Sequence, residues 1–138
     1  MKLSVIVPTF NESDTILETL DQVLKQKQVF EVIVVDDGST DNSKAKIQKS
    51  KLWKDNRARI KLVIHQKNTG KGAAVRSGIE NASGDYLIIQ DADLEYDPSQ
   101  YELLIKSASA NKAVYGSRLI TKNDYAYLHT LLGNMLLT

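Results

Sequence analysis

Asp91 and Asp93, separated by Ala92, follow an apolar run from Tyr86 to Ile89 with only Gln90 intervening. If strand conformation carries on through them, both carboxylates point to one face. Two hard oxygen ligands with a small residue between them suit Mg2+ or Mn2+, which keeps positions open for waters and substrate phosphate oxygens. Glu95 can add a ligand or hold one of those waters. An Asp-x-Asp triplet is also common in solvated turns; the fully apolar run before this one argues for a site.

A second acidic cluster closes another run. Phe30 to Val35 leads into Asp36, Asp37, Gly38, Ser39, Thr40 and Asp41. Adjacent strand residues face opposite ways, so one of Asp36 and Asp37 enters a cleft while the other caps the following turn. A turn plus N-cap cluster accounts for Gly38 to Asp41, but not for a carboxylate ending a buried strand. Gly70, Lys71 and Gly72 are not a Walker loop, which needs Gly-x-x-x-x-Gly-Lys followed by Ser or Thr. Glycines and a lysine beside a helix N-terminus make an anion site, to which Arg76 and Arg118 can add charge-assisted contacts. A glycine-rich turn with solvated charges explains these residues equally well. His65 and His129 lack partners at metal-ligand spacing and read as structural.

The elements that must position these groups alternate between strand and helix. A strand from Leu3 to Val7 stops at Pro8, and Asn11 or Ser13 can cap a helix to about Lys27 with Ile16, Leu17, Leu20, Val23 and Leu24 on one face. The second strand ends at Asp36, and Ser39, Thr40 and Asp41 offer oxygens to the free amides of a helix near Ser43 to Ser50. Lys51 to Arg59 reads as a charged loop pinned by Trp53. Ile60 to His65 is a third strand, Gln66 to Gly70 a turn, Lys71 to Asn81 a helix and Asp85 to Gln90 a fourth strand. Pro98 opens a helix through Leu103, Leu104 and Ile105, and Ala113 to Tyr115 is a short fifth strand. This order predicts an α/β three-layer sandwich on a mostly parallel sheet. Its strands are short continuous apolar runs, as expected when both faces are buried. Ligands of such sheets bind outside the carboxyl ends of the strands, where both acidic clusters fall.

The 138 residues predict one domain, and a net charge of +1 gives no bulk argument for nucleic acid or an anionic membrane. The absence of cysteine excludes disulfides and thiolate metal sites and fits a reducing compartment. No run approaches the roughly 20 apolar residues of a membrane span, and Leu3 to Val7 is too short for the core of a signal peptide. The expected location is cytoplasmic. Tyr125 to Thr138, with Tyr127, Leu128, Leu131, Leu132, Met135 and Leu136, has helical apolar spacing and stops without a capping signal. It reads as an element cut short, against the alternative of a terminal helix docked on the sheet.

Taken in order, Pro8-Thr9-Phe10-Asn11-Glu12, Asp36-Asp37-Gly38-Ser39-Thr40-Asp41, Asn68-Thr69-Gly70-Lys71-Gly72-Ala73-Ala74 and Asp91-Ala92-Asp93-Leu94-Glu95-Tyr96-Asp97-Pro98 resemble glycosyltransferase family 2. Gly116, Ser117, Arg118 and the segment from His129 to Thr138 resemble its dolichol-phosphate mannosyltransferase-like branch. The resemblance spans essentially the whole chain. It implies a GT-A, Rossmann-like fold, a GDP- or UDP-linked sugar donor, and Mg2+ or Mn2+. On this resemblance Pro8, Thr9, Phe10, Glu12 and Asp36 or Asp37 hold base and ribose, and Lys71 and Arg118 also belong to the donor site. Asp91 and Asp93, with Glu95, carry the metal that bridges the diphosphate, and Asp93 acts in catalysis through it. An acceptor attacks the anomeric carbon from the opposite face and inverts it. A polyprenyl phosphate acceptor needs no general base, whereas a hydroxyl needs a carboxylate that these motifs do not identify. Family members usually continue with acceptor elements and membrane-associated helices. Residues 1–138 are therefore expected to be the donor-binding portion, binding donor but transferring sugar poorly. Leu131, Leu132, Met135 and Leu136 are expected to seek cover by self-association or at a lipid surface, placing the chain at the cytoplasmic face of a membrane. The implied role is cell-envelope polysaccharide or glycolipid synthesis.

Three other readings compete. A sugar-phosphate nucleotidyltransferase would place a glycine- and arginine-rich loop directly after the first strand, where Pro8 to Glu12 stands. A signalling receiver would carry its acidic pair after the first strand rather than the second. A non-catalytic nucleotide-sugar-binding fragment differs from the leading reading only in turnover.

Overall fold

A computed structural model describes residues 2–108. The expected strand at Ala113 to Tyr115, Arg118, His129 and the apolar segment from Tyr125 lie outside the described residues. Packing divides the chain after Glu102, and the first unit carries the sheet and every residue that lines the cleft described below.

Four strands, β1 (Leu3–Thr9), β2 (Val29–Asp36), β3 (Ile60–Ile64) and β4 (Tyr86–Ile89), form one sheet in the order β3-β2-β1-β4. All pairings are parallel. The central strands are the most apolar: Val5, Ile6, Val7, Val32, Ile33, Val34 and Val35 are completely buried. Consecutive β-branched residues favour extended backbone and can be buried one after another only where both faces of a sheet are covered.

The connections supply that cover. Helix α1 (Ile16–Leu24) links β1 to β2, and α2 (Ser43–Lys49) with α3 (Lys51–Asp55) link β2 to β3. Helix α4 (Lys71–Asn81) then carries the chain back across the sheet to β4. Right-handed crossovers in opposite directions place their helices on opposite faces. Ala74 of α4 accordingly packs with Ile33 and Val35, leaving Val32 and Val34 to the other face. At Gly78 a Cβ would come within 2.3 Å of the Ile6 side chain, so only glycine lets α4 approach β1 this closely. After β4 come a 3-10 turn (Pro98–Gln100) and helix α5 (Tyr101–Ser107). Among the described residues no helix is long and apolar enough to cross a membrane.

Four expectations about local structure are corrected. Lys51–Asp55 is helical rather than looped, because Ser50 accepts a hydrogen bond from the Trp53 amide at 3.0 Å and caps it. Helix α1 begins after Thr15, with neither Asn11 nor Ser13 capping it. Those residues reach sideways instead: Asn11 Oδ1 accepts from the Thr40 and Asp41 amides, and the Ser13 amide donates to Asp41. Of the three expected caps of α2, Asp41 alone does that work, accepting from the Ser43 amide at 2.8 Å, while Ser39 accepts from the Asn11 amide. Finally, β4 ends at Ile89, so strand geometry does not extend to Asp91 and Asp93.

Candidate active site

The carboxyl ends of β1, β2 and β4 and the first turn of α4 enclose a cleft of about 330 Å³. Pro8, Thr9, Phe10 and Glu12 line it from the end of β1, and Asp37 from the end of β2. Asn68, Lys71 and Ala74 line it from the β3–α4 turn and α4, and Asp91, Ala92 and Asp93 from the segment after β4. Asn68 and Ala74 belong to the quoted motifs, but sequence reasoning gave them no role.

Asp36 and Asp37 take different places. Asp36 is buried outside the cleft lining, and its Oδ1 accepts the Ser39 amide at 2.9 Å, closing the turn after β2. Asp37 reaches the cleft wall, where its carboxylate is spent on the protein's own donors. Oδ1 accepts the Thr69 hydroxyl at 2.7 Å and Oδ2 the Gly70 amide at 2.7 Å, while the Thr69 amide is shared by both oxygens. His65 Nδ1 lies 2.6 Å from Oδ1, and its Nε2 lies 2.9 Å from Ser77 Oγ on α4. Burial alone pushes the Asp37 carboxyl up, but the Thr69 hydroxyl, His65 and the two amides outweigh it and hold it at about 2. The glycine-rich turn is thus built around an internal carboxylate that already takes the Thr69 and Gly70 amides. His65 is structural, as its sequence context suggested, and joins β3, β2 and α4.

The turn bearing Asp91 and Asp93 is held from behind. Thr19 Oγ1 on α1 donates to the Ala92 carbonyl at 3.2 Å. Buried Gln90 donates through Nε2 to the carbonyls of Asp91 and Tyr96, both at 3.1 Å, and its Oε1 accepts the Tyr101 hydroxyl at 2.7 Å. Burial pushes the Tyr101 phenol well up, so it stays a donor. Thr19, Gln90 and Tyr101 were missed in the sequence because they act on this turn without lining the cleft.

At the front, Lys71 Nζ lies 2.7 Å and 2.8 Å from the two oxygens of Asp91. Asp93 Oδ1 accepts the Glu95 amide at 3.1 Å, and Leu94 has φ +63°. That tight turn takes Glu95 out of the cleft lining, and among the described residues no three metal-ligating side chains converge. The expected triad with Glu95 is therefore not assembled. Asp91 and Asp93 still present hard oxygens to one open cleft. Two carboxylates completed by substrate phosphates are an ordinary donor set for Mg2+ or Mn2+, so these residues fit such an ion. Arg118 lies outside the described residues, and Arg76 is not part of the lining.

The profile of Glycosyl transferase family 2 matches residues 4–133. The chain belongs to this family. It is 32% identical over 127 residues to the undecaprenyl-phosphate 4-deoxy-4-formamido-L-arabinose transferase of Proteus mirabilis, a match covering 89% of this chain and 38% of that protein. Glycosyltransferase GlyG of Streptococcus pneumoniae is 43% identical over 93 residues, covering 66% of this chain and 30% of the relative. The chain thus spans well under half the length of these relatives. Among solved structures, mannosyltransferase PcManGT from Pyrobaculum calidifontis in complex with GDP-Man and Mn2+ superposes with a TM-score of 0.67 at 30% identity, covering 75% of this chain and 31% of that one. S. aureus TarS 1–349 in complex with UDP-GlcNAc gives 0.64 at 30% identity, covering 77% and 30%. The family and the GT-A arrangement expected from the motifs are both borne out.

Proposed function

We propose that this family 2 chain is the donor-binding portion of a glycosyltransferase that passes sugar from a GDP- or UDP-linked donor to a lipid phosphate at the cytoplasmic face of a membrane. One observation carries the reading: Asp91 and Asp93 share a single cleft with the Pro8–Glu12 loop and Lys71 at the carboxyl edge of a parallel sheet. The solved neighbours bound to GDP-Man with Mn2+ and to UDP-GlcNAc support the donor class, and the undecaprenyl-phosphate transferase supports the acceptor class.

The roles follow from position. The exposed Phe10 ring and the Pro8–Glu12 loop offer an apolar surface and a carboxylate to base and ribose. Asp37 holds the Asn68–Gly70 turn, and Lys71 supplies a mobile positive charge at diphosphate height. Asp91 and Asp93 would hold Mg2+ or Mn2+, which when bound offsets charge on the departing nucleoside diphosphate. The acceptor phosphate brings its own anionic oxygen, which bonds to the anomeric carbon as the bond to the diphosphate breaks, with inversion. No general base is then needed.

Calorimetry with GDP, UDP and their sugar conjugates, with and without Mn2+, tests the reading. Asp91→Asn and Asp93→Asn should each weaken nucleotide binding about tenfold or more in Mn2+, the loss of one charge-assisted contact, without lowering the melting temperature. Equal affinity for wild type and both variants would sink the assignment.

A further inference from the structure

Lys71 holds both oxygens of Asp91, one of the two carboxylates that would take a metal, with its ammonium 2.7 Å and 2.8 Å away. A divalent cation approaching the cleft meets a carboxylate already neutralised and a like charge beside it. That leaves Asp93, one of whose oxygens accepts the Glu95 amide, to offer the ion its other oxygen alone. The lysine is fixed at its root and loose at its tip. Its backbone follows Gly70, whose φ of +95° suits glycine and whose amide is tied to Asp37 at 2.7 Å. Its side chain is 62% exposed, free to swing on a four-carbon stem.

Building on the donor reading above, we infer that Lys71 is a resident counter-ion that excludes bare metal from Asp91 and is drawn off by an incoming diphosphate. The diphosphate presents more negative charge than one carboxylate, so the ammonium moves to it and Asp91 becomes open to the metal. Metal and nucleotide then bind with positive coupling, and by linkage each raises the affinity for the other by the same factor. Lys71 thereby keeps the free chain from loading metal without donor.

The test measures Mn2+ affinity by the electron paramagnetic resonance signal of free Mn2+, in wild type, Lys71→Met and Lys71→Arg, with and without GDP or UDP. Without nucleotide, Lys71→Met should bind Mn2+ about fivefold or more tighter than wild type, as expected from removing a competing half-exposed pair and a repelling charge. Lys71→Arg, which keeps the cation, should stay within about twofold. The gain in Mn2+ affinity on adding nucleotide should shrink in Lys71→Met by at least the same factor. Thermal melts of all three confirm the fold, which Lys71, at the exposed first position of α4, does not support from within. Lys71→Met binding Mn2+ no tighter than wild type overturns the inference, whatever the nucleotide titrations show. Loss of all nucleotide binding by the wild type would instead refute the donor reading, because the comparison in Mn2+ alone needs no nucleotide.

Discussion

Asp37→Asn keeps the shape of the side chain and removes its charge, isolating what the buried carboxylate does for the β3–α4 turn. Its carboxyl is held at about 2 against an ordinary 3.8, so the folded state favours the charged form by about 2 kcal/mol. Asparagine also turns an amide nitrogen toward donors it cannot accept from, the Thr69 or Gly70 amide, which adds about 1 kcal/mol. The expected cost at pH 7 is therefore about 3 kcal/mol, read from the urea midpoint. The pH dependence carries the sharper signature. A carboxyl depressed in the folded state contributes stability above the unfolded value, and that stability is lost as pH falls through the folded value. The gap between wild type and variant should be flat above about pH 5 and narrow progressively toward pH 2. Glu31, also held at about 2 against burial by Lys61, Ser4 and Ser83, titrates over the same range but is common to both proteins and cancels in the difference. Because Gly70 is tied to Asp37 and Lys71 follows it, nucleotide affinity should fall with stability. A gap below about 1 kcal/mol, or one unchanged between pH 2 and pH 5, would refute the claim that a charged Asp37 builds this wall.

Gly38→Ala should lower the urea midpoint, by about 1–3 kcal/mol in stability, because φ is +72° and the new Cβ would lie 2.5 Å from the Lys67 carbonyl carbon. Tyr101→Phe should cost about 1–2 kcal/mol by leaving buried Gln90 Oε1 without its donor. It should also weaken Mn2+-dependent nucleotide binding, since Gln90 then holds the carbonyls of Asp91 and Tyr96 less firmly. Melting curves read the first effect and calorimetry the second.

The strands were legible because Val32 to Val35 and Leu3 to Val7 are runs that only a doubly covered sheet tolerates, and the cleft was legible because acidic residues ended two such runs. Local signals misled where side chains serve long-range partners. Asn11 and Ser13 look like helix caps, but they tie the loop after β1 to the loop after β2. Ser50 carried a real capping signal that the surrounding lysines obscured. Twenty residues separate Lys71 from Asp91 and 73 separate Thr19 from Ala92. Neither pairing has a periodicity to betray it, because crossovers that pass over the sheet bring them together.

The place of β1 in the sheet also bears on how the chain is made. β1 lies between β2 and β4, so one of its edges can pair once Asp36 is synthesised, while the other waits for Tyr86–Ile89, about 50 residues later. At about 5–20 residues per second that wait lasts roughly 3–10 s. Throughout it, the unsatisfied amides and carbonyls of Leu3 to Ile6 present an apolar edge open to pairing with other chains. Ribosome-bound chains stalled before β4 should therefore cross-link to holdase chaperones through β1, and chains stalled well after it should not. Equal cross-linking from both would mean that the edge is covered before β4 arrives. In the living cell, the interval most exposed to aggregation is set by the rate at which α2, α3, β3 and α4 are translated.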